Sequence, residues 1–452
     1  MNLKIEQIAT MCDGSIVGDK DIIIDAIVID SRKAQLGKIF IAIMGEVNDG
    51  HDFIVDALKN GTNTIIVEEK YTDFAPGITY IIVKNTTKAL GDIAHHYRMM
   101  FSIPVIGITG SNGKTTVKEM LKSICTVKYG ESCVLASKDS LNNHWGVPLT
   151  LLELKKEHKV AIIEMGMNHF GELTYLSNLA VPTIAVINNV STAHIGNFSC
   201  IDDIAKAKGE IYSGIFENGV ALINANSKYS KYWSSLIKNP KINIEYFANH
   251  ESKCYIKSID NNVSLLNIND DEVEIKLNVL GEHNHQNALT AIAISSLMNI
   301  EINSIVSGLS NYYGYKSRLE IKKGFNGITI VDDSYNANPD SVKSAILAIK
   351  NLPKPHWFIL GSLNELGVFS VDKHHEIGLF AKENEIDKLI TIGHDTIYAI
   401  QSFGVNALYF DSKEKIIDYC KSNLPSNGVL LIKASNSLKL WEIANALELI
   451  NN

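Results

Sequence analysis

A chain of 452 residues, 46% hydrophobic and 20% charged, is roughly two to four times the size of a usual domain, so it has ample material for more than one core and no compositional sign of disorder. Its net charge of −8 excludes a broad basic face for nucleic acid, so any anionic ligand must be met by a few local cations. No apolar run approaches the roughly 18 residues of a membrane helix, and the opening MNLKIEQIATMCDG has an acid at position 6 and no apolar signal core; the chain reads as cytoplasmic, without a membrane or nucleic-acid partner.

The six cysteines form no CxxC pair and sit in apolar contexts, which suits buried thiols in a reducing compartment. Of the 42 basic residues only three are arginine, Arg32, Arg98 and Arg318. In a chain that otherwise supplies lysine, each arginine marks a place where the planar two-pronged guanidinium is wanted, or a plain surface ion pair.

Residues 1–84 contain β-rich runs (DIIIDAIVID, KIFIAIMG, TNTIIVEE) with one helical stretch, HDFIVDALKNG, and predict a small α/β domain. From 85 to 312 strands and helices alternate: IPVIGITG, TVKEMLKSIC, KVAIIEMG, PTIAVINNV, GVALINAN, a strand-rich insert near 253–279, then the helix NHQNALTAIAISSLM. Such alternation predicts a mainly parallel sheet with helices on both faces. Residues 313–452 repeat that logic from GITIVDDSY to GVLLIKAS and a last helix, a Rossmann-like α/β layout without a GxGxxG fingerprint after its first strand.

The densest motif is GITGSNGKTTVKEML, 107–121. A buried strand, IPVIGIT, precedes the glycines, and Val117, Met120, Leu121 and Ile124 follow on one helical face. A strand, glycine loop and helix aim backbone N–H groups at one point, which is an anion site. Thr109, Gly110, Ser111, Asn112, Gly113, Lys114, Thr115 and Thr116 are therefore expected to hold the phosphates of ATP or GTP, with Lys114 reaching the outer phosphates and Thr115 a magnesium ion. The loop reads TGxxGKT and not GxxxxGKT, because Ile108 stands where the first glycine would be. Magnesium takes hard oxygen ligands, and Glu164, ending the strand KVAIIEMG, is placed to be one, or to cap the next helix. Asn142 and Asn143 in SLNNHWGVP, and His194 after PTIAVINNV, are polar residues at the carboxyl ends of strands, where open parallel sheets bind their ligands.

These blocks together resemble the Mur ligase family over essentially the whole chain. DSRKAQLGKIFIAIMGEVNDGHDF, with Ser31, Arg32, Gly45 and His51, is similar to the family's uridine-nucleotide-binding segment. TGSNGKTT, LNNHWGVPLTLLEL, EMGMNHFGEL, NNVSTAHIGNF, AKAKGEIY and GEHNHQNALTA follow in the family's order, and SRLEI and VDDSYNANPDS match in the third region. The resemblance implies an ATP- and Mg2+-dependent ligase acting as a monomer, with UDP-N-acetylmuramoyl-tripeptide and D-alanyl-D-alanine as substrates and an acyl phosphate between them. It implies that 1–84 binds the UDP-sugar-peptide, 85–312 binds ATP, and 313–452 closes on ATP and binds the dipeptide. It further implies that Lys114, His194, Lys208 and Arg318 are catalytic, and that Thr115, Glu164, His194 and a carbamoylated Lys208 surround the metal. Asn284, Asn287 and Asn336 would line adenine and ribose, and Arg318 would reach the nucleotide across the cleft.

Two places depart from the family pattern: Ser362 stands for an acid in GSLNELG, and Asn436 for an arginine in KASNS. With that arginine missing, the expectation is that Lys433 and a helix beginning directly after the loop hold a substrate carboxylate. A different ligase of the superfamily, such as the folylpolyglutamate type, and a nucleotide-dependent switch remain the alternatives.

Overall fold

The computed structural model describes residues 1–45, 47–193 and 195–449. Three large sheets follow one another along the chain, accompanied among the described residues by a two-stranded and a three-stranded sheet. The first has the strand order Ser15–Val17, Thr79–Val83, Thr64–Glu68, Lys38–Ile41, Ala26–Val28, parallel except for the antiparallel Ser15–Val17 edge. The run DIIIDAIVID does not make one strand. It splits at Asp25, whose N–H is taken by Gly37 O at 2.7 Å, leaving Ile23–Ile24 to pair with Leu3–Lys4 and Ala26–Val28 to join the main sheet.

The helix Thr86–Met99 was not apparent in the sequence. Asn85 caps it by accepting from Lys88 N at 2.7 Å, and Ala89, Leu90, Ile93, Ala94 and Tyr97 form its buried face. Arg98 near its end is buried and donates to the carbonyls of Ala180, Val181 and Phe101 at 2.7–3.1 Å. Its guanidinium fork closes the end of a neighbouring helix, so this arginine is structural.

The central sheet has six parallel strands in the order Asn243–Phe247, Val220–Asn224, Ile184–Ile187, Val105–Thr109, Val160–Glu164, Val134–Ala136. Its inner strands are near-continuous aliphatic runs because both faces are covered. Helices Lys114–Tyr129, Glu282–Leu297 and Ile302–Ser310 pack on one face, and helices Glu172–Ala180 and Ile201–Gly209 on the other. The insert is a three-stranded antiparallel sheet, Cys254–Asp260, Val263–Ile268 and Asp271–Lys276.

The third sheet runs Glu320–Lys323, Thr329–Asp332, Val429–Lys433, His356–Gly361, Lys388–Ile392, Ala407–Phe410, all parallel but for the antiparallel first strand. The helix expected directly after KASNS begins only at Trp441; a 3-10 turn, Asn436–Leu438, and the left-handed Lys439 intervene, so no helix N-terminus opens on that loop. Cysteines 12, 125, 254 and 420 are buried as expected, whereas Cys133 is half-buried and Cys200 is exposed.

Candidate active site

One cavity of about 1860 Å3 is lined by residues from all three regions. On its floor lies the glycine loop between the strand Val105–Thr109 and the helix Lys114–Tyr129. Gly113 caps that helix at φ +75°, and a Cβ there would lie 2.2 Å from Asn287 Oδ1, so both backbone and space demand glycine. Lys114 folds back to donate to Gly110 O at 2.9 Å, and burial lowers its pKa. Thr109 lies wholly buried behind the loop, its hydroxyl without a partner among the described residues, and lines no part of the cavity.

Thr115, Glu164 and Asn142 form one cluster. Thr115 Oγ1 donates to Glu164 Oε2 at 2.9 Å and Asn142 Nδ2 to Glu164 Oε1 at 2.9 Å. Glu164 therefore does not cap a helix; its carboxylate faces the helix that begins at Lys114. A residue the sequence reading passed over, Lys118, lies fully buried behind it, donating to Ser137 O at 2.7 Å, 3.0 Å from Glu119 and 4.0 Å from Glu164. Asn143 also lines the cavity and accepts from the N–H of Gly146 at 2.9 Å. Thr115 Oγ1 and Glu164 are hard oxygen donors of the kind magnesium selects.

The loop is braced by asparagines. Asn188 Nδ2 donates to Asn287 Oδ1 at 2.8 Å and to Asn112 O at 3.0 Å, Asn189 Oδ1 accepts from Asn112 N at 2.8 Å, and Asn287 Nδ2 donates to Asn284 Oδ1 at 3.0 Å. Asn284 and Asn287 thus lie beside the loop and line the cavity. Asn188 and Asn189 were visible only as an over-polar INN after a buried strand.

The third region closes directly onto this loop. Arg318 Nη2 donates to Thr115 Oγ1 at 3.0 Å while its guanidinium lies over the Tyr335 ring at 4.2 Å; its Nε is buried with no partner among the described residues. Asn338 Nδ2 donates to Asn112 Oδ1 at 2.6 Å, and Thr192 donates from N and Oγ1 to Asp340 at 3.0 and 2.7 Å. Asn336 lines the same wall.

Lys433 lines the cavity but does not offer the expected free ammonium. It pairs with Asp333 Oδ2 at 2.5 Å and donates to Asn336 O at 3.1 Å and Asp333 O at 3.4 Å, which uses all three N–H bonds. Its N–H bonds are thus directed to Asp333 and Asn336, where the sequence reading expects a substrate carboxylate. Lys208, 1% exposed, stands outside the lining; burial, aided by the charge of Lys114, lowers its pKa well below the usual value. His194 lies outside the described residues.

In the first region Gly45 lines the cavity, with a Cβ position 3.5 Å from Trp145. Ser31, Arg32 and His51 do not. His51 is turned inward, Nδ1 against Asp49 Oδ1 at 2.6 Å and Nε2 accepting from Glu68 N at 3.1 Å. Arg32 makes a two-pronged pair with Asp30 at 2.9 and 2.8 Å in the turn Ser31–Lys33, its side chain 86% exposed.

In comparison with known proteins, three family models match successive parts of the chain. The Mur ligase family catalytic domain matches residues 23–98, the Mur ligase middle domain 108–295, and the Mur ligase glutamate ligase domain 317–436. The chain is 32% identical to the UDP-N-acetylmuramoyl-tripeptide--D-alanyl-D-alanine ligase of Haemophilus influenzae, over 99% of both chains. Its fold superposes on a crystal structure of MurF from Acinetobacter baumannii with a TM-score of 0.91, at 30% identity and 98% of each chain covered. With MurF ligase from Thermotoga maritima in complex with ADP the TM-score is 0.82, at 25% identity, covering 93% of this chain and 96% of that one. Family models matched to all three parts, with a relative 32% identical over the full length, establish that this chain belongs to the Mur ligase family.

Proposed function

We propose that this chain joins the amine of D-alanyl-D-alanine to the terminal carboxylate of UDP-N-acetylmuramoyl-tripeptide, forming the pentapeptide, ADP and phosphate. The observation that carries this reading is the bond from Arg318 to Thr115: a cation from the third region reaches the phosphate loop of the second, in a cavity also lined by loops of the first.

ATP supplies the phosphoryl group that activates the carboxylate, and magnesium the charge neutralisation that phosphoryl transfer needs. The chain's part is positioning. The N–H groups from Ser111 to Thr116 and the helix N-terminus cradle the phosphates, with Gly113 allowing their close approach. Lys114 leaves Gly110 O for the outer phosphates, and Arg318, fixed by Tyr335, meets the charge that develops on them. Asn284, Asn287 and Asn336 border the nucleoside. Thr115 and Glu164 would hold the metal, Glu164 being oriented by Asn142.

Lys208 joins them once carbamoylated: a neutral amine, favoured by its burial, adds carbon dioxide and loses a proton, becoming an anion. Residues 1–84 bind the UDP-sugar-peptide, Gly45 from the cavity side and Ser31, Arg32 and His51 from the turns that shape the rim; residues 85–312 bind ATP; residues 313–452 bind the dipeptide. Among the described residues no helix is long and apolar enough to cross a membrane; on this reading the enzyme meets its nucleotide substrates in the cytoplasm.

An omission series tests the reading. Phosphate release should require the UDP-sugar-tripeptide, and pentapeptide should appear only with the dipeptide. Nucleotide turnover indifferent to both would make the protein a switch.

A further inference from the structure

We propose that residues 137–142 link the seating of the third region to the metal carboxylate, with Tyr315 and Tyr335 as the positioning residues, so that Glu164 is set for magnesium only where Arg318 is also in place. The inference rests on the phosphate-loop and magnesium part of the reading above.

The segment begins and ends on Glu164. At its start Ser137 Oγ accepts from Glu164 N at 3.0 Å; at its end Asn142 Nδ2 donates to Glu164 Oε1 at 2.9 Å, and Asn142 O accepts from Gly166 N at 2.8 Å. A Cβ on Gly166 would lie 2.9 Å from Asn142 Oδ1, so Asn142 approaches the chain after that strand as closely as a glycine allows. Between these anchors Lys138, Asp139, Ser140 and Leu141 are exposed, and Asp139 has a left-handed φ of +46°.

The middle of the segment is gripped from the third region. Tyr315 OH donates to Asp139 Oδ1 at 3.0 Å, and Tyr335 OH and Ser140 Oγ share a hydrogen bond at 2.5 Å. Ser140 O in turn accepts from Asn142 N at 2.7 Å, so the grip on Ser140 reaches the residue that orients Glu164 in one further bond. The faces of the same two rings are also used. Arg318 lies 4.2 Å over Tyr335, and Lys118, behind Glu164, lies 5.7 Å over Tyr315. Tyr335 thus sets the plane of the arginine with its face and the loop beside the metal carboxylate with its hydroxyl. Phosphoryl transfer needs metal and arginine at the outer phosphates together, and one shared support delivers both.

The test measures ADP affinity by calorimetry, once with magnesium and once with a chelator in its place, on the parent, Tyr335→Phe, Ser140→Ala and the double variant. Tyr335→Phe keeps the ring under Arg318 and removes only the hydroxyl. Each single variant should reduce the magnesium-dependent gain in ADP affinity by about three- to ten-fold, the scale of one lost hydrogen bond, with affinity in chelator within about two-fold of the parent. The double variant should lose no more than either single one, because the two residues share one bond. Tyr315→Phe, which breaks the separate bond to Asp139, should lower the gain further when combined with Tyr335→Phe. A magnesium gain unchanged in every variant overturns the inference while leaving the ligase reading intact. So do losses of ADP affinity equal with and without magnesium, which would make the two tyrosines merely structural. ADP that binds the parent no more tightly with magnesium than without it overturns the magnesium reading beneath.

Discussion

Arg318 and Thr115, separated by 203 positions in the chain, are joined by a 3.0 Å hydrogen bond from Nη2 to Oγ1. The same guanidinium lies 4.2 Å over the Tyr335 ring, so its plane is fixed before any nucleotide arrives. A lysine could supply the charge but neither the plane nor the stacking. Arg318→Lys should therefore lower kcat by about 100-fold or more while the KM for ATP moves far less. Steady-state kinetics with ATP varied give both numbers; a kcat within two-fold of the parent, on the same scale, would remove Arg318 from the reacting centre.

Asn338 has two separable tasks. Its side chain caps the helix Pro339–Ile349 by accepting from Ser341 N at 3.0 Å, and its Nδ2 donates across the cleft to Asn112. Asn338→Ala should lose both, costing about 1 kcal/mol of stability as well as activity. Asn338→Asp keeps a good cap and removes the donor, so thermal unfolding should stay near the parent value while kcat falls. Equal unfolding temperatures for the alanine and aspartate variants would contradict the capping role.

Lys208 should oppose folding until it is used. Its folded pKa is pushed well below the unfolded value near 10.5, so between those two values the unfolded chain binds more protons and stability rises with pH. In buffer free of carbon dioxide, Lys208→Met should be the more stable protein at neutral pH and should flatten that rise, while losing turnover. Chemical denaturation across pH 7 to 10 measures the slope. A methionine variant less stable than the parent would show that the ammonium has a partner it needs.

Lys433 and Asp333 form a pair with side chains 3% and 15% exposed. Removing one partner of such a pair strands the other, so Lys433→Ala should destabilise by about 3–5 kcal/mol, and Lys433→Met with Asp333→Leu by clearly less. Urea unfolding of the three variants gives the comparison. A Lys433→Ala protein of parent stability but much weakened dipeptide binding would return this lysine to substrate binding.

The parts of the fold legible in the sequence are those with a local signature. Val105–Thr109 and Val160–Glu164 are buried on both faces and read as continuous aliphatic runs, and the glycine loop is a contiguous motif between a strand and a helix. The edge strands Val134–Ala136 and Asn243–Phe247 escaped notice, one being three residues long and the other only partly buried. The helix Thr86–Met99 has His95, His96 and Arg98 among its apolar positions, which blurred its period.

The site divides in the same way. The loop around Gly113 and Lys114 was readable because it is contiguous, whereas Glu164 meets Thr115 and Asn142 from 49 and 22 positions away. What Lys433 and Arg98 do depends on partners far along the chain, Asp333 for one and Ala180 with Val181 for the other. Residue type alone could not separate Arg98, spent on carbonyls, from Arg318, aimed at the phosphate loop. Asn338 was likewise overlooked beside Asn336, since only the closed cleft brings it to Asn112.

The central claim, that the tripeptide carboxylate is activated by phosphate at the loop holding Lys114, is tested most directly by isotope transfer. UDP-N-acetylmuramoyl-tripeptide labelled with oxygen-18 in its terminal carboxylate is converted with ATP, magnesium and D-alanyl-D-alanine, and the released phosphate is analysed by mass spectrometry. One labelled oxygen should appear in phosphate for each pentapeptide formed, because the carboxylate oxygen that attacks ATP leaves with the phosphoryl group. Phosphate released without label, alongside pentapeptide or in its absence, would contradict the account.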